Sequence, residues 1–538
     1  MKRRSFLGLI AGSAVGAYVS ATRAATGVGD ATFRHGVASG DPLDDRVILW
    51  TRVSGQDRSR VRVRWELAKD PDFEDVVARG RERTGPDRDY TVKVDADGLE
   101  PGTVYFYRFR VGRETSTTGR TQTLPEGRLD AARFAVVSCS NHPYGRFHVY
   151  RDIAEDAELD AVIHLGDYIY EYGMGGYATE YAEALGRVPE PPVEVVTLAD
   201  YRMRHAQYKS DPDSQAMLAR IPLIAIWDDH EITNDAWRDG AQNHQEDEGA
   251  YVDRVAAATQ AYFEWMPIRG EAQAGRSRIF RSFSYGDLLS LIMLDTRLYG
   301  RDLQPDANGE TDPERIGRRL NDASRRILGG EQEAWFEGEL EQSSAVWQVV
   351  GQQIMVSPVR TPDLEPIVDL DAGVGLPRDM LERLVAASKS NPPMLLDTWN
   401  GYPHARQDFL TAIARHSDNA VIVTGDMHTS MAGDLIPEGS DTPVAVEMMT
   451  TSVTSPGFDQ YLPQQRPGAV RDATLGFNAT LKYMETSRRG WLKLNVTRKD
   501  VVGEWHLVDD VQAATYTKTV DRRLRVAVGE VGKGLRDA

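Results

Sequence analysis

Hydrophobic and polar side chains alternate in two short stretches of the N-terminal quarter of the chain. Residues 61–67 and 104–111 place apolar side chains at alternate positions, which is the pattern of strands with one buried face. Pro101, Gly102 and Gly112 border the second stretch, as turn residues commonly border strands. Short strands and turns of this kind, spread over about ninety residues, predict a small β-sandwich between residues 30 and 125.

The end of this predicted sandwich resembles a fibronectin-type domain. Residues 99–107 read LEPGTVYFY, and a tyrosine braces the chain near the start of a strand in sandwiches of this kind. The following Pro125-Glu126-Gly127 is predicted to be the linker to a second domain.

The hydrophobic pattern changes after residue 130. Strands that alternate with helices predict an α/β (α+β) domain of layered sheets over residues 131–538. Near the C-terminus, two strands are predicted to form a β-hairpin that completes a sheet. The apolar runs are 135–137, 161–163, 223–226, 349–350 and 421–423, the helical stretches are 254–265, 330–340 and 406–415, and the hairpin strands are 491–496 and 502–508.

Side chains that bind metals follow four of these apolar runs directly. A lone aspartate at a strand end is more often a helix cap, and a lone cysteine is usually a small buried apolar residue. Because the carboxyl ends of strands carry the sites of α/β sheets, the recurrence at four strand ends predicts one shared site. His164, inside an apolar run, is predicted to be a core histidine. The four clusters contain Cys139 with Asn141, Asp167 with Tyr170, Asp228 and Asp229 with His230, and Asp426 with His428.

The balance of charge limits what such a site can bind. The 538 residues include 63 basic and 81 acidic side chains, which gives a net charge of −18. An acidic surface repels nucleic acids and anionic membranes unless one patch runs against the mean, so no nucleic-acid-binding module is predicted. The same surface opposes an anionic substrate, and bound cations are the simplest source of a local positive charge.

The donor types indicate which cations these are. A thiolate, a phenolate and an imidazole among oxygen donors differ from the Cys and His set of a structural zinc site. They suit a redox-capable ion such as iron, whereas paired carboxylates suit Ca²⁺, Mg²⁺ or Mn²⁺. Two cations about 3.5–4 Å apart hold a phosphoryl group and generate hydroxide at neutral pH, and Asp167 is the predicted bridge between them. Phosphoester hydrolysis without a side-chain nucleophile is therefore predicted, with Cys139 as a ligand.

Residues 1–24 are predicted to be an export signal. Arg3-Arg4 precedes Phe6-Leu7, a mildly apolar stretch and small residues up to Ala25, which is the layout of a signal peptide. The arginine pair indicates the twin-arginine route. The alternatives are a fortuitous pair on a general secretory signal and a membrane anchor, although the apolar run is too short for a good membrane span. The predicted signal implies that the protein is periplasmic or secreted, without a stable membrane anchor. Its single cysteine excludes an intrachain disulfide.

Taken together, these motifs resemble those of the PhoD-type alkaline phosphatases, metallophosphoesterases akin to the purple acid phosphatases. The resemblance rests on the leader, on FRHGVASGDP at residues 33–42 and on the four strand-end clusters, of which WDDHE at 227–231 is the most specific. It implies a catalytic domain with two central β-sheets flanked by helices, plus a small N-terminal fibronectin-like β-sandwich. It also implies hydrolysis of phosphomonoesters and phosphodiesters by metal-activated hydroxide attack on phosphorus.

The resemblance further implies ligands for two kinds of cation. These are Fe³⁺ and one or two Ca²⁺ ions, with Mn²⁺ or Mg²⁺ as substitutes. The implied Fe³⁺ ligands are Cys139, Asp167, Tyr170 and His428, and the implied Ca²⁺ ligands are Asp167, Asp229 and Asp426.

Three further side chains are expected to contact the substrate. His230, catalytic together with Asp167, would donate a hydrogen bond to a phosphoryl oxygen or to the leaving group. Asn141 would contact phosphate, and a role in forming a turn is the alternative. Asn400 lies in DTWNGYP at 397–403, at a position where the family more often has aspartate. It is expected either to bind substrate or the outer metal, which it would then hold more weakly, or only to support the site.

Two alternatives to an alkaline phosphatase remain at the level of the sequence. One is a phospholipase D-like phosphodiesterase acting on lipid head groups, which would share the same catalytic residues. The other is a non-catalytic surface-binding protein, whose metal cluster would have a closed coordination shell. The expected partners are small phosphoester substrates and the twin-arginine export machinery.

Overall fold

The computed structural model describes residues 32–55, 59–273, 277–307 and 310–538. The predicted export signal, residues 1–24, lies outside the described residues. The strands are β1 (Val37–Gly40), β2 (Val47–Arg52), β3 (Val61–Ala68), β4 (Val76–Thr84), β5 (Thr91–Ala96), β6 (Val104–Val111), β7 (Glu114–Thr115), β8 (Gly119–Gln122), β9 (Ala131–Val137), β10 (Ala161–His164), β11 (Leu223–Ala225), β12 (Arg281–Tyr285), β13 (Leu289–Met293), β14 (Trp347–Gly351), β15 (Ala420–Thr424), β16 (Ser430–Leu435), β17 (Ala445–Met449), β18 (Leu481–Glu485), β19 (Arg489–Thr497), β20 (Asp500–Val508), β21 (Lys518–Ala527) and β22 (Arg536–Asp537). The α-helices are α1 (His148–Glu155), α2 (Ala182–Leu185), α3 (Leu198–Lys209), α4 (Pro212–Arg220), α5 (Tyr251–Trp265), α6 (Pro313–Leu320), α7 (Gly330–Gln342), α8 (Arg378–Ser388), α9 (Pro403–His416), α10 (Phe458–Tyr461) and α11 (Ala469–Phe477).

Two large mixed sheets form the centre of the molecule. One has ten strands in the order β22-β21-β20-β19-β9-β10-β11-β1-β2-β5, and the other has seven in the order β12-β13-β14-β15-β17-β16-β18. Strands β9, β10 and β11 run parallel to one another, as do β13, β14 and β15. Helices cover the outer faces, so the predicted fold class is confirmed.

Strand β15 shows how the core is shared between a sheet and a helical layer. Val421 and Val423 belong to the core cluster that contains both large sheets, whereas Ala420 and Ile422 pack in a second cluster with helices α7 and α9. Because both faces of the strand are buried, its sequence is a continuous apolar run rather than an alternation. The same reason accounts for the unbroken apolar runs seen in the sequence.

The N-terminal β-sandwich shares a sheet with the catalytic domain. Its first layer is β1, β2 and β5, which continue the ten-stranded sheet through a parallel pair between β1 and β11. Its second layer is a separate five-stranded sheet of β3, β4, β6, β7 and β8. Tyr105 braces the turn before β6 as predicted, since its hydroxyl accepts a hydrogen bond from the Glu100 N–H at 2.9 Å.

Several predicted elements appear with small changes at their ends. The helical stretches 254–265, 330–340 and 406–415 lie within α5, α7 and α9. The predicted C-terminal hairpin is the antiparallel pair of β19 and β20, and β19 joins it to β9 in the ten-stranded sheet.

Candidate metal centre

The structure brings the four strand-end clusters together at one place. The loops after β9, β10 and β11 leave neighbouring strands at the same edge of the ten-stranded sheet. The loop after β15 reaches the same place from the seven-stranded sheet, and an isolated bridge between Ser138 and Ser452 links the two sheets there. Three clusters therefore meet because they follow parallel neighbouring strands. The fourth cluster, after β15, joins them because the two sheets pack against each other.

Two glycines allow these loops to approach each other closely. A Cβ atom on Gly166, whose φ is +104°, would lie 2.4 Å from the backbone nitrogen of Asp228. A Cβ atom on Gly425 would lie 2.5 Å from the Ser138 hydroxyl oxygen. These separations are far inside van der Waals contact, so only glycine fits at either position.

Four of the predicted metal-binding residues have a left-handed backbone. The φ angles are 61° at Cys139, 54° at Asp167, 65° at Asp426 and 52° at His428. Residues other than glycine are uncommon in this region, although asparagine, aspartate and histidine adopt it more often than the others. Such conformations concentrate at functional sites, where the surrounding structure holds them in place. Here each one turns a donor side chain at the point where its strand ends.

The first group of donors contains Cys139, Asp167 and His428, whose ligand atoms lie within 4.8 Å of one another. The Tyr170 hydroxyl joins them, 3.0 Å from Asp167 Oδ2 and 3.2 Å from His428 Nε2. Nδ1 of His428 lies 2.8 Å from the Pro456 carbonyl oxygen. Donation of the Nδ1 proton to that carbonyl leaves Nε2 as the free lone pair facing the group. Burial lowers the pKa of His428 to about 3, which keeps its ring neutral.

The second group is a cluster of buried carboxylates. Oxygens of Asp167, Asp228, Asp229 and Asp426 lie within 4.8 Å of one another, and Asp229 belongs to a further group with Asp235 and Asp397. Asp228 Oδ2 and Asp229 Oδ1 are buried without a hydrogen-bond partner among the described residues. Burial, together with the charges of Asp228 and Asp229, holds the pKa of Asp167 well above its usual range. The carboxylates of this cluster therefore repel one another.

Arg297 lies inside this carboxylate cluster, although the sequence did not predict it there. Its fully buried guanidinium contacts Asp228 and lies 2.6 Å from Asp397 and 3.4 Å from Asp426. A signal was present, because Asp295-Thr296-Arg297 follows the buried strand β13 in the same way that the four recognised clusters follow theirs. A guanidinium has no free lone pair for a metal, so Arg297 does not share the donor chemistry of those clusters.

His230 faces the same group, and Glu171 orients it. Nδ1 of His230 lies 2.7 Å from Glu171 Oε2, and a ring nitrogen lies within 4.8 Å of oxygens of Asp167 and Asp229. Burial acts to lower the pKa of His230, but the charges of Glu171, Asp167 and Asp229 outweigh it and raise the pKa well above the usual value. The raised pKa favours the imidazolium form of the ring, in which Nδ1–H donates to the Glu171 carboxylate and Nε2–H is left free.

Aromatic side chains form a wall beside this histidine. The ring of Tyr170 lies 4.3 Å from that of His230 between centroids, and the rings of Tyr172 and Tyr177 follow at 5.5 and 6.2 Å. The tyrosine-rich stretch after β10 thus lines one side of the site around His230.

A loop after β17 supports three of the expected ligands. The Ser455 hydroxyl lies 2.7 Å from the Tyr170 hydroxyl oxygen, its backbone N–H donates to the Cys139 carbonyl at 3.3 Å, and Pro456 accepts from His428. On the opposite side, the carboxylate of Glu231 accepts from the backbone N–H groups of Asp167 at 2.9 Å and Asp228 at 2.7 Å.

Asn400 and Asn141 are placed differently from the substrate contacts that were expected. The Asn400 amide donates to the carbonyls of Val359 and Met394 and accepts from Arg406 at 2.8 Å. The Asn400 side chain is thus hydrogen-bonded to neighbouring segments. The side chain of this motif that lies in the carboxylate cluster is Asp397, three residues earlier.

Asn141 likewise has a role within its own turn. Its Oδ1 accepts from the Tyr144 backbone N–H at 3.1 Å, and its carbonyl accepts from the Thr454 hydroxyl. This is the turn-forming alternative. His164 is a core histidine as predicted, because both ring nitrogens are within hydrogen-bond distance of partners, Tyr150 and the Gly166 backbone N–H.

These residues fit the implied cations. A thiol, a phenol and an imidazole around Asp167 are donors that suit iron. The unpartnered oxygens of Asp228 and Asp229 are hard donors of the kind that Ca²⁺ and Mg²⁺ take. The carboxylates of this cluster outnumber Arg297, the one arginine buried among them. The resulting excess of negative charge would be neutralised by bound cations.

Comparison with known proteins gives concordant matches along the chain. A family model described as PhoD-like phosphatase matches residues 134–505, and one described as the N-terminal domain of PhoD-like phosphatases matches residues 19–125. Alkaline phosphatase D of Bacillus subtilis (strain 168) is 38% identical over 467 residues, which cover 84% of this chain and 74% of that protein. A solved structure of PhoD superposes with a TM-score of 0.81 at 34% identity, covering 94% of this chain and 92% of the other.

Proposed function

This chain belongs to the PhoD-like phosphatase family, and from that premise we propose that its metal centre hydrolyses phosphomonoesters and phosphodiesters outside the cytoplasm. It is a metal-dependent phosphoric ester hydrolase of the alkaline phosphatase D type. The observation that carries the proposal is the convergence of Cys139, Asp167, Asp229, Asp426 and His428 in overlapping groups of donors.

We propose that these donors divide between two kinds of cation. Fe³⁺ would be held by Cys139, Asp167, Tyr170 and His428, whose donors cluster around one carboxylate. Ca²⁺ would be held by Asp167, Asp229 and Asp426, with Mn²⁺ or Mg²⁺ as substitutes. Cations bound in such a site supply Lewis acidity and lower the pKa of water to near neutrality.

The chain's own residues then bind, orient and protonate the substrate. Arg297 contacts Asp228 and lies 3.4 Å from Asp426, so it supplies a permanent positive charge within the carboxylate cluster. His230 engages Glu171 through Nδ1, so its Nε2–H is free to donate to a phosphoryl oxygen or to the leaving-group oxygen. Cys139 is fully buried within the donor group, which supports its role as a ligand and not as a nucleophile.

Export through the twin-arginine route is part of the proposal. It is supported by Arg3-Arg4 and the signal-like residues after it. Within the described part of the chain, no helix has both the length and the apolar character needed to cross a bilayer.

The first experiment compares ester classes with the purified full protein. We expect release of p-nitrophenol from p-nitrophenyl phosphate and from bis-p-nitrophenyl phosphate, and loss of both activities with a calcium chelator. The ratio of the two rates, together with hydrolysis of phosphatidylcholine, separates a phosphatase from a phospholipase D-like enzyme. Activity on phosphatidylcholine alone would overturn the monoester and diester assignment.

A second experiment tests His230 as the general acid. Such a residue contributes about 10²–10⁴ in rate when the leaving group needs a proton. We expect His230→Gln to lose far more activity on alkyl phosphates than on p-nitrophenyl phosphate, whose leaving group departs readily without one. His404→Gln, which alters an exposed histidine on α9, is the matched control. Equal losses on both substrates would contradict the role.

A further inference from the structure

The outer face of the five-stranded sheet concentrates arginine in a protein that is strongly acidic overall. Along β3, the side chains of Val61, Val63 and Leu67 are buried in the sandwich core. The alternate positions, Arg62, Arg64 and Glu66, therefore point to the other face of the sheet. Arg62 and Arg64 are exposed to solvent.

The strand register extends this pattern across three adjacent strands. Residues paired directly opposite each other lie on the same face of a sheet. On β4, Arg83 is opposite Arg62, Arg81 is opposite Arg64, and Arg79 is opposite Glu66. On β6, Arg110 is opposite Arg64 and Arg108 is opposite Glu66. The resulting arginine face comprises Arg62, Arg64, Arg79, Arg81, Arg83, Arg108 and Arg110.

Most of this charge has no partner within the described part of the chain. Glu66, the one acid at these paired positions, lies 2.8 Å from Arg108 and 3.6 Å from Arg110. Among the described residues, no carboxylate lies within 4.0 Å of the guanidinium nitrogens of Arg62, Arg79, Arg81 or Arg83.

Folding does not explain this arrangement. Like charges directly opposite each other destabilise a sheet, and Arg62/Arg83, Arg64/Arg81 and Arg64/Arg110 are three such pairs. Charged side chains do protect exposed edges from aggregation. Of the three strands that carry these arginines, however, only β4 is at an edge, since β3 and β6 are each hydrogen-bonded on both sides. Solubility is already provided by a net charge of −18.

We propose that the arginine face binds a linear polyanion with repeating phosphate groups. Adjacent strands lie about 4.8 Å apart, and side chains on one face repeat about every 6.8 Å along a strand, so an extended chain meets several guanidinium groups at once. All seven cations are arginine, the side chain whose planar fork binds phosphate with two hydrogen bonds.

Charge complementarity favours a chain over a membrane as the partner. If the arginine face lay on a flat anionic bilayer, the acidic remainder of the protein would also come close to the lipid head groups. The two negative surfaces would repel each other. A linear polymer that follows the strands meets the arginine face alone, and charges more than about 10 Å away are screened at ordinary salt.

The test uses the full protein and fluorescently labelled long-chain inorganic polyphosphate. Fluorescence anisotropy measures its binding as the salt concentration rises. The variant is Arg62→Gln/Arg83→Gln, because neither side chain has a described contact and each faces the other. The matched control is Arg318→Gln/Arg383→Gln, which removes two exposed arginines from α6 and α8 and changes the net charge equally.

The expected result is a loss of affinity confined to the sheet variant. At low salt its affinity should fall at least about tenfold, and the slope of log K against log salt should fall by about 1.4, as for two lost phosphate contacts. The control should bind like the wild type. Equal weakening in both variants, which would indicate an effect of net charge alone, would overturn the proposal, as would no weakening in either.

Three further readouts, the melting temperature, the hydrolysis rate and binding to lipid vesicles, separate this role from others. The sheet variant should melt at or above the wild-type temperature, because a repulsive pair is removed, and should hydrolyse p-nitrophenyl phosphate unchanged. A large fall in melting temperature would instead assign the arginines to the fold. Arginine-dependent binding to phosphatidylglycerol vesicles without binding to polyphosphate would overturn the proposal in favour of a lipid surface.

Discussion

Arg297 places a permanent positive charge among carboxylates that would otherwise repel one another. It contacts Asp228, and its other nitrogens lie 3.6 Å from Asp229, 2.6 Å from Asp397 and 3.4 Å from Asp426. Because the arginine is wholly buried, its removal would leave several charges without compensation in a medium of low polarity.

We expect Arg297→Met to destabilise the metal-free protein by about 3–5 kcal/mol, the usual cost of removing one partner from a buried ion pair. Calcium should restore part of that stability, since a cation can then neutralise the same carboxylates. Urea unfolding with and without calcium measures both effects. Arg315→Met, at an exposed ion pair with Glu310, should cost less than about 1 kcal/mol. Equal costs at the two sites would contradict this account.

In the proposed reaction, Glu171 is a positioning residue that acts through its 2.7 Å contact with His230 Nδ1. Its carboxylate also accepts from Thr233, Asn234 and Asn243 at 3.1, 2.8 and 2.9 Å, so its position is well defined. We expect Glu171→Gln to lower turnover of alkyl phosphates by about 10–10², with a smaller loss for p-nitrophenyl phosphate. Glu183→Gln, which alters an exposed glutamate on α2, is the control. A loss that is independent of the leaving group would assign Glu171 to folding alone.

At the scale of elements, the loop after β17 matters as much as the strands that carry the donors. Between Ser452 and Pro456 it contacts Cys139, Tyr170 and His428. The Ser455 hydroxyl has one proton and two acceptors, the Tyr170 oxygen at 2.7 Å and the Cys139 carbonyl at 3.1 Å. The shorter contact is to the phenol oxygen, which places a hydrogen-bond donor on an expected iron ligand.

We expect Ser455→Ala to shift the phenolate-to-iron absorption band of the iron-loaded protein to lower energy. Without the donated hydrogen bond, the phenolate holds its electrons less tightly, so their transfer to iron requires less energy. Visible spectroscopy measures the shift. Ser452→Ala removes a hydroxyl of the same loop that donates to Ser455 O and not to the phenol, and should leave the band in place. A band unmoved in both variants would refute the contact.

At the scale of the whole molecule, the sandwich and the catalytic domain form one continuous structure. Lys209, at the end of α3, is fully buried where they meet. Its ammonium lies 3.2 Å from the Tyr168 hydroxyl and 5.1 Å from the centre of the Trp50 ring of β2. Burial lowers the pKa of Lys209 to about 7 from a usual value of 10.5.

This pKa makes global stability depend on pH. Between about pH 7 and 10.5 the unfolded chain keeps the Lys209 proton that the folded protein has lost. The free energy of unfolding therefore rises with pH across this range. The total rise is about 1.4 kcal/mol for each unit by which the two pKa values differ. We expect Lys209→Met to be more stable than the wild type at pH 7, with the gap closing towards pH 10. Urea unfolding across that range, with exposed Lys499→Met as control, tests it. A constant gap would contradict the assignment.

Much of the fold and half of the site could be predicted from local pattern. Alternation of apolar and polar residues predicted β3 and β6, because a strand with one buried face alternates. Continuous apolar runs predicted β9, β10 and β15, because a strand buried on both faces is apolar throughout. The donors were then predictable by position, since Cys139 and Asp167 directly follow parallel neighbouring strands. The carboxyl ends of such strands share one edge.

Other contacts depend on which distant segments the fold brings together. Arg297 meets Asp228 across 69 residues and Asp426 across 129, and no periodicity relates such positions. Asn400 illustrates the converse, because its motif suggested a site residue while packing commits its amide to Val359 and Met394.

Local periodicity was enough to predict the strands and the change of pattern near residue 130, and donor chemistry was enough to predict which side chains could bind a metal. The tertiary structure alone decided where charge is balanced and where it is not. It enclosed Arg297 among carboxylates, paired Glu171 with His230, and set Arg62 opposite Arg83 on an exposed sheet. Electrostatic energy depends on separation and burial, and both are properties of the packed chain.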